Sequence, residues 1–250
     1  MMVFNDINEF KQWRLEQMGL IGFVPTMGAL HKGHFELVQT SLNETDITIV
    51  SIFVNPTQFD NKEDLANYPN SLGDDLNALE DMGVSAVFLP NYEMLYPDDF
   101  KYKVTETDLS QKFCGASRPG HFDGVLTVVL KLFNICIPHN VYFGEKDFQQ
   151  MTLIEGMIEA LFLPITLVAV PTVREDSGLA LSSRNQRLSD EQKQLAPKLN
   201  EVLKNASDAE QAQQQLTELG FKVDYVEDWN HRRLAAAWLG DVRLIDNVEV

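Results

Sequence analysis

Pro25-Thr26-Met27-Gly28-Ala29-Leu30-His31-Lys32-Gly33-His34 follows a short apolar run and opens a stretch of helical period. A helix N-terminus exposes unpaired N–H groups and a partial positive charge, which together attract anions. Gly28 and Gly33 let backbone approach a phosphate closely. His31 and His34 add donors that hold phosphate oxygens and can stabilise the charge that grows when pyrophosphate leaves. Two of the five histidines of the chain fall in this loop, which argues against incidental surface residues. Zinc is disfavoured, because no third ligand stands at suitable spacing.

Four further loops carry candidates. In Phe53-Val54-Asn55-Pro56-Thr57-Gln58-Phe59, Asn55 and Gln58 offer directional donors and acceptors suited to a small polar acid, although an Asn-Pro turn explains the same residues. In Phe143-Gly144-Glu145-Lys146-Asp147-Phe148-Gln149-Gln150, Lys146 supplies a point charge for phosphate and Asp147 an acceptor for ribose hydroxyls, with Gln150 one helical turn on. Glu145 and Asp147 equally complement a helix dipole. Leu181-Ser182-Ser183-Arg184-Asn185 combines two hydroxyls with a guanidinium that can grip two phosphate oxygens. Arg118 and His121, in Ser117-Arg118-Pro119-Gly120-His121-Phe122, either line such a site or shape it. Asp74-Asp75 reads better as a helix start than as a magnesium site reached through water.

The elements that must position these loops alternate. Ile21–Val24, Ile47–Val54, Ala86–Leu89, Val141–Phe143 and Ile165–Val170 read as strands, each stopping at or near Pro or Gly. His34–Leu42, Ser71–Met82, Val125–Asn134 and Phe148–Leu161 carry apolar residues at three- and four-residue spacing and read as helices. The pattern predicts an α/β fold, a parallel sheet whose ligands bind beyond the carboxyl ends of the strands. After about Glu175 the pattern changes. Ser189–Lys204 and Asp208–Leu219 read as polar helices, followed by strands at Phe221–Val226 and Arg243–Ile245. The expected division is therefore a Rossmann-like domain over 1–175 and a smaller α+β domain over 176–250.

Twenty Lys and Arg against 37 Asp and Glu give a net charge of −17. That charge opposes nucleic acid and anionic membrane surfaces as partners. Hydrophobic residues at 44% and charged residues at 23% suit a packed globular core. Cys114 and Cys136 alone cannot build a secreted disulfide framework, so the reducing cytoplasm is expected. The N-terminal residues lack a positive region before an apolar run, unlike a signal peptide. The most apolar stretch, 160–173, is broken by Pro164 and too short to span a bilayer.

Taken in order, PTMGALHKGH, SIFVNPTQF, the Tyr68-Pro69 after Glu63-Asp64-Leu65, GASRPGHF, FGEKDFQQ and ALSSRN resemble the motif series of the pantoate–β-alanine ligase family. This family is one of the HxGH nucleotidyltransferase-like, adenylate-forming groups. The likeness runs from about Phe23 to Asn185, with weaker support at Arg243-Leu244-Ile245-Asp246-Asn247. It implies a Rossmann-like domain followed by a small lid, and a two-step ligation. Pantoate attacks the α-phosphate of ATP and releases pyrophosphate, after which β-alanine displaces AMP to give pantothenate. By the same resemblance, Met27, Gly28, Ala29, Leu30, His31, Lys32, Gly33 and His34 surround ATP, with His31 and His34 on the phosphates and His34 a proton donor. Asn55, Gln58 and Gln150 hold pantoate. Gly144, Glu145, Lys146 and Asp147 take the nucleotide, Val173 touches adenine, and Leu181, Ser182, Ser183 and Arg184 close over the β- and γ-phosphates. The catalytic set is His31, His34, Lys146 and Arg184. Mg2+ accompanies ATP, and a homodimer is expected. The segment from Tyr225 to Arg232 leaves little room for the usual strand and connection, so a shortened lid is expected.

Other readings are weaker. A different HxGH nucleotidyltransferase acting on a phosphorylated acceptor would want Arg or Lys where Gln58 and Gln150 stand. A class I aminoacyl-tRNA synthetase fragment conflicts with the acidity. A non-catalytic ATP sensor would not need His34, Lys146 and Arg184 together.

Overall fold

The five apolar runs and one further strand pair as one all-parallel sheet in the computed structural model, which describes residues 1–250. The strands are β1 (Met2–Phe4), β2 (Ile21–Thr26), β3 (Ile47–Ile52), β4 (Ala86–Phe88), β5 (Asn140–Gly144) and β6 (Thr166–Val170). Their order is β1-β4-β3-β2-β5-β6. Phe23 and Val24 of β2 and Ile49 and Val50 of β3 have no exposed surface, as expected when helices cover both faces of parallel strands. Helix Lys32–Glu44 lays Leu37 and Val38 on Val24, Val50 and Val87. The sheet and its helices form one compact unit, Met1–Gly144 with Gln149–Val170.

The other unit comprises Pro171–Val250 with the short turn Glu145–Phe148. The first unit thus ends at Val170, five residues before the division expected at 175, and the Lys146 turn groups with the C-terminal residues. Here β7 (Lys222–Trp229), β8 (Arg232–Leu239) and β9 (Val242–Glu249) form an antiparallel sheet. Helices Lys198–Asn205 and Ala209–Glu218 belong to the same core, which buries Leu199, Leu203 and Leu216 with Ala235, Ala237, Leu244 and Val248.

Three local features differ from the sequence expectation. Strand Met2–Phe4 and helix Ile7–Glu16 lie outside the expected elements; Asp6 caps this helix and Phe10 stacks on Phe88 at 4.6 Å. The helix expected over Ser189–Lys204 is two helices, Asp190–Leu195 and Lys198–Asn205, interrupted at Pro197, which has no N–H to continue the ladder. The short connection before Arg232 is a two-residue hairpin. Asn230 and His231 both take left-handed φ, 50° and 59°, so β7 turns directly into β8 and no strand is missing. No helix of the chain is long and apolar enough to cross a membrane.

Candidate active site

In the first unit, β2, β3 and β5 run parallel, so the segments following Thr26, Ile52 and Gly144 all leave the same edge of the sheet. The order reverses between β2 and β5, the place where open α/β sheets take ligands.

The loop after β2 is bent through consecutive left-handed residues, Gly28 at φ 81° and Ala29 at φ 50°. Asp75 holds it. Only 3% exposed, its carboxylate accepts the Ala29 amide at 2.8 Å, the Leu30 amide at 2.9 Å and the Ser71 hydroxyl at 3.0 Å. From sequence, Asp75 reads as a helix start rather than a magnesium site reached through water, and it stands in the first turn of helix Leu72–Asp81. Its oxygens are engaged by this loop, whereas Asp74 is exposed.

His31 and His34 cap helix Lys32–Glu44 together. His31 Nδ1 accepts the Gly33 amide at 3.1 Å, and His34 Nδ1 accepts the His31 amide at 3.3 Å. The rings lie 4.1 Å apart. A backbone N–H can only donate, so both Nδ1 atoms are acceptors and each neutral ring carries its proton on Nε2. The cap therefore selects the tautomer that offers an Nε2 donor.

Asn55 is buried, at 1% exposure, and its polar atoms turn inward. Its Nδ2 donates to Gln58 Oε1 at 3.0 Å and to the Gly124 carbonyl at 3.3 Å, while its Oδ1 accepts from Thr57 and from the Tyr96 hydroxyl. A Cβ at residue 124 would overlap the Thr57 carbonyl, so glycine allows helix His121–Cys136 to approach this turn. Gln58 Nε2 donates to Met27 Sδ at 3.0 Å, which joins the second motif to the first.

Arg118 and His121 grip Gln58 from its backbone. His121 Nδ1 donates to the Gln58 carbonyl at 2.7 Å, and Arg118 Nη2 donates to the same oxygen at 3.2 Å. Arg118 Nη1 also donates to His121 Nε2 at 3.0 Å, which fixes the Nδ1–H tautomer, and Arg118 Nε bonds Asp60 at 2.9 Å. Burial opposes the Asp60 charge, but the hydrogen bond and charge of Arg118 outweigh it and hold the carboxyl below its ordinary value. Of the two roles left open for Arg118 and His121, the contacts match shaping the site.

Beyond Gly144, Gln149 is buried and binds the Leu109 and Lys112 carbonyls, both at 2.8 Å, and the Cys114 amide at 3.0 Å. Gln150 is half-buried, which separates an internal anchor from a candidate ligand in a Gln-Gln pair.

The second unit carries the remaining candidates. Lys146 Nζ lies 3.6 Å from Asp147, and Arg232 pairs with Glu145 at 3.1 Å. Asn247 of β9 donates to the carbonyls of Glu145 at 2.8 Å and Lys146 at 3.1 Å. Beside it, Asp246 takes Arg174 through two hydrogen bonds, at 2.7 and 2.8 Å, and Asn200 at 2.9 Å. Nothing local in the sequence reports this support. Val173 and Leu181 meet where the Leu181 amide donates to the Val173 carbonyl at 3.0 Å, across the bend closed by Gly178 at φ 92°. Ser182 caps the turn Ser183–Arg187 by accepting the Arg184 amide at 3.3 Å, and Ser183 is buried.

Residues 2–249 match the profile of the family described as pantoate-beta-alanine ligase. The chain belongs to the pantoate–β-alanine ligase family. Its members join pantoate to β-alanine, and this chain is a ligase of that kind. The pantothenate synthetases of Bdellovibrio bacteriovorus and Legionella pneumophila strain Corby are 52% and 45% identical to it, each alignment covering 99% of both chains. The chain is thus as long as these relatives, and the shortening expected from the sequence does not hold against them. Among solved structures, the pantoate-beta-alanine ligase of Francisella tularensis complexed with beta-gamma ATP and beta-alanine superimposes with a TM-score of 0.95 at 41% identity, covering 100% of this chain and 97% of the other. The pantothenate synthetase of Thermus thermophilus gives a TM-score of 0.91 at 39% identity, covering 100% and 99%.

Proposed function

We propose that this ligase activates pantoate as an adenylate with ATP, releasing pyrophosphate, and then passes the pantoyl group to β-alanine with loss of AMP. The observation that carries this reading is the reciprocal cap of His31 and His34, which fixes two Nε2 donors at the helix N-terminus that follows β2. Such donors stabilise phosphate charge as the α-phosphorus bond to pyrophosphate breaks, with little reorganisation. Met27–His34 and Gly144 are the nucleotide-binding residues of the first unit, and Glu145–Asp147, Val173 and Leu181–Arg184 those of the second. Lys146 and Arg184 neutralise the phosphates of ATP, and Arg184 can do so bidentately. Gln58 and Gln150 bind pantoate. Asn55, whose bonds turn inward, serves by holding Gln58.

No group of three His, Cys, Asp or Glu residues is placed to hold a metal ion. Magnesium enters as Mg-ATP, carried on the phosphates of the substrate, which is how Mg2+ commonly binds at such sites. The active form is a homodimer working in the cytoplasm.

The test is product analysis with Mg-ATP, pantoate and β-alanine. Stoichiometric AMP, pyrophosphate and pantothenate are expected, and pantoate with ATP alone should accumulate an adenylate. Formation of ADP would refute the adenylate route.

A further inference from the structure

We propose that Tyr96 is a positioning residue for pantoate, acting through Asn55 to hold the Gln58 amide with its nitrogen end offered as a donor. The inference rests on Gln58 being a pantoate contact.

A primary amide has an oxygen end and a nitrogen end of nearly the same shape, so only its neighbours fix the direction in which it faces. Asn55 Oδ1 receives the Tyr96 hydroxyl at 2.9 Å, the Thr57 hydroxyl at 3.0 Å and the Thr57 amide at 3.4 Å. Donors converge on that end of Asn55, so its other end is Nδ2. That nitrogen donates to Gln58 at 3.0 Å, and the Gln58 atom facing it must be oxygen. Turning Gln58 over would set NH2 against NH2. The Gln58 nitrogen consequently lies on the far side, 3.0 Å from the Met27 thioether, which can only accept. One hydrogen of Nε2 serves Met27, and the second is left to meet a carboxylate or hydroxyl oxygen of the acid. The whole relay lies in the first unit; the Thr57 amide and the Gly124 carbonyl favour the same Asn55 orientation, and the Tyr96 hydroxyl is the shortest of the bonds that hold it.

Tyr96 suits this role. It is 2% exposed, and burial pushes its phenol up to about 12, so the hydroxyl stays a donor throughout the working range. Its ring is held independently of that hydroxyl by Tyr92 at 4.9 Å, Phe100 at 5.4 Å and Lys131 Nζ at 4.9 Å over the ring. Tyr96→Phe therefore removes the proton and leaves the packing.

The experiment compares wild type, Tyr96→Phe, Gln58→Ala and the double variant in the full-length enzyme, measuring KM for pantoate, ATP and β-alanine and kcat. Tyr96→Phe should raise the pantoate KM about three- to tenfold, the effect of one net hydrogen bond, and leave the ATP KM unchanged. In the Gln58→Ala background it should add nothing, because the relay then has no end. Asn55→Asp, which cannot donate to Gln58 Oε1, should raise the pantoate KM further than Tyr96→Phe does. An unchanged pantoate KM in Tyr96→Phe, additivity in the double variant, or equal loss for pantoate and ATP would each overturn the relay. If Gln58→Ala itself leaves pantoate unaffected, the fault lies with the reading of Gln58, which separates the two failures.

Discussion

Asp75 accepts the Ala29 amide at 2.8 Å across 46 residues of chain, and so the bend that begins the histidine loop is fastened by a buried carboxylate on a helix. Its second oxygen takes Leu30 and Ser71. Asp75→Asn would turn an NH2 group toward one of these donors. A stability loss of about 1.5–3 kcal/mol is expected, the range for hydrogen bonds to a charged group, together with slower adenylation. Urea unfolding measures the first quantity; a variant within about 0.5 kcal/mol of wild type would show that the loop holds itself.

The two imidazoles have separable duties. Asn is a good N-cap, so His31→Asn should keep thermal stability within about 0.5 kcal/mol while removing the Nε2 donor. Adenylation should still fall roughly 10²-fold, and His34→Ala should lower it roughly 10²–10³-fold. Single-turnover quench with labelled ATP reads the step directly. Normal adenylation in His31→Asn would reduce His31 to a cap.

Gln58→Ala and Gln150→Ala should weaken pantoate roughly ten- to hundredfold, from the loss of a hydrogen bond to a carboxylate, and leave ATP nearly unchanged. Isothermal titration with each ligand separates these outcomes. Parallel loss for both ligands would assign the glutamines to the scaffold.

Burial raises the Tyr96 phenol from 10.0 to about 12, so the fold favours its neutral form. The associated stability is complete below pH 10 and is lost as pH rises through the folded value, because the unfolded chain ionises first. Wild type should therefore exceed Tyr96→Phe in unfolding free energy at pH 8, and the gap should narrow by pH 11. The other tyrosines cancel in the difference. A gap that widens with pH would contradict the buried-donor assignment.

What is legible in the sequence follows physical lines. Buried parallel strands such as Ile47–Ile52 are largely apolar, β-branched runs closed by Asn-Pro or Pro, and they read clearly. β1 has three residues and takes its stability from pairing with β4, a partner more than 80 residues away, so no local pattern announces it. The hairpin at Asn230-His231 lacks the glycine that usually marks two left-handed residues in sequence, and β8 is hidden with it. The histidine loop is readable because its cap is local, each imidazole accepting an amide two or three residues away. Asn55 groups with the ligands in sequence because amide chemistry is visible there and burial is not. The partners of Asp75, Asn247 and His121 are set by tertiary contacts, 45, 101 and 63 residues away.

Asn247 also fixes an order of events during synthesis. The carbonyls of Glu145 and Lys146 wait for a donor on β9, which the ribosome adds about a hundred residues later. Domains fold N-terminal first as the chain emerges, so the parallel sheet and both capping histidines can form on the nascent chain while the lysine turn is still unsupported. The final strand of the smaller sheet is then the step that completes the support of the lysine turn. A chain halted before Asp246 would carry the histidine loop in place and leave Lys146 without this support.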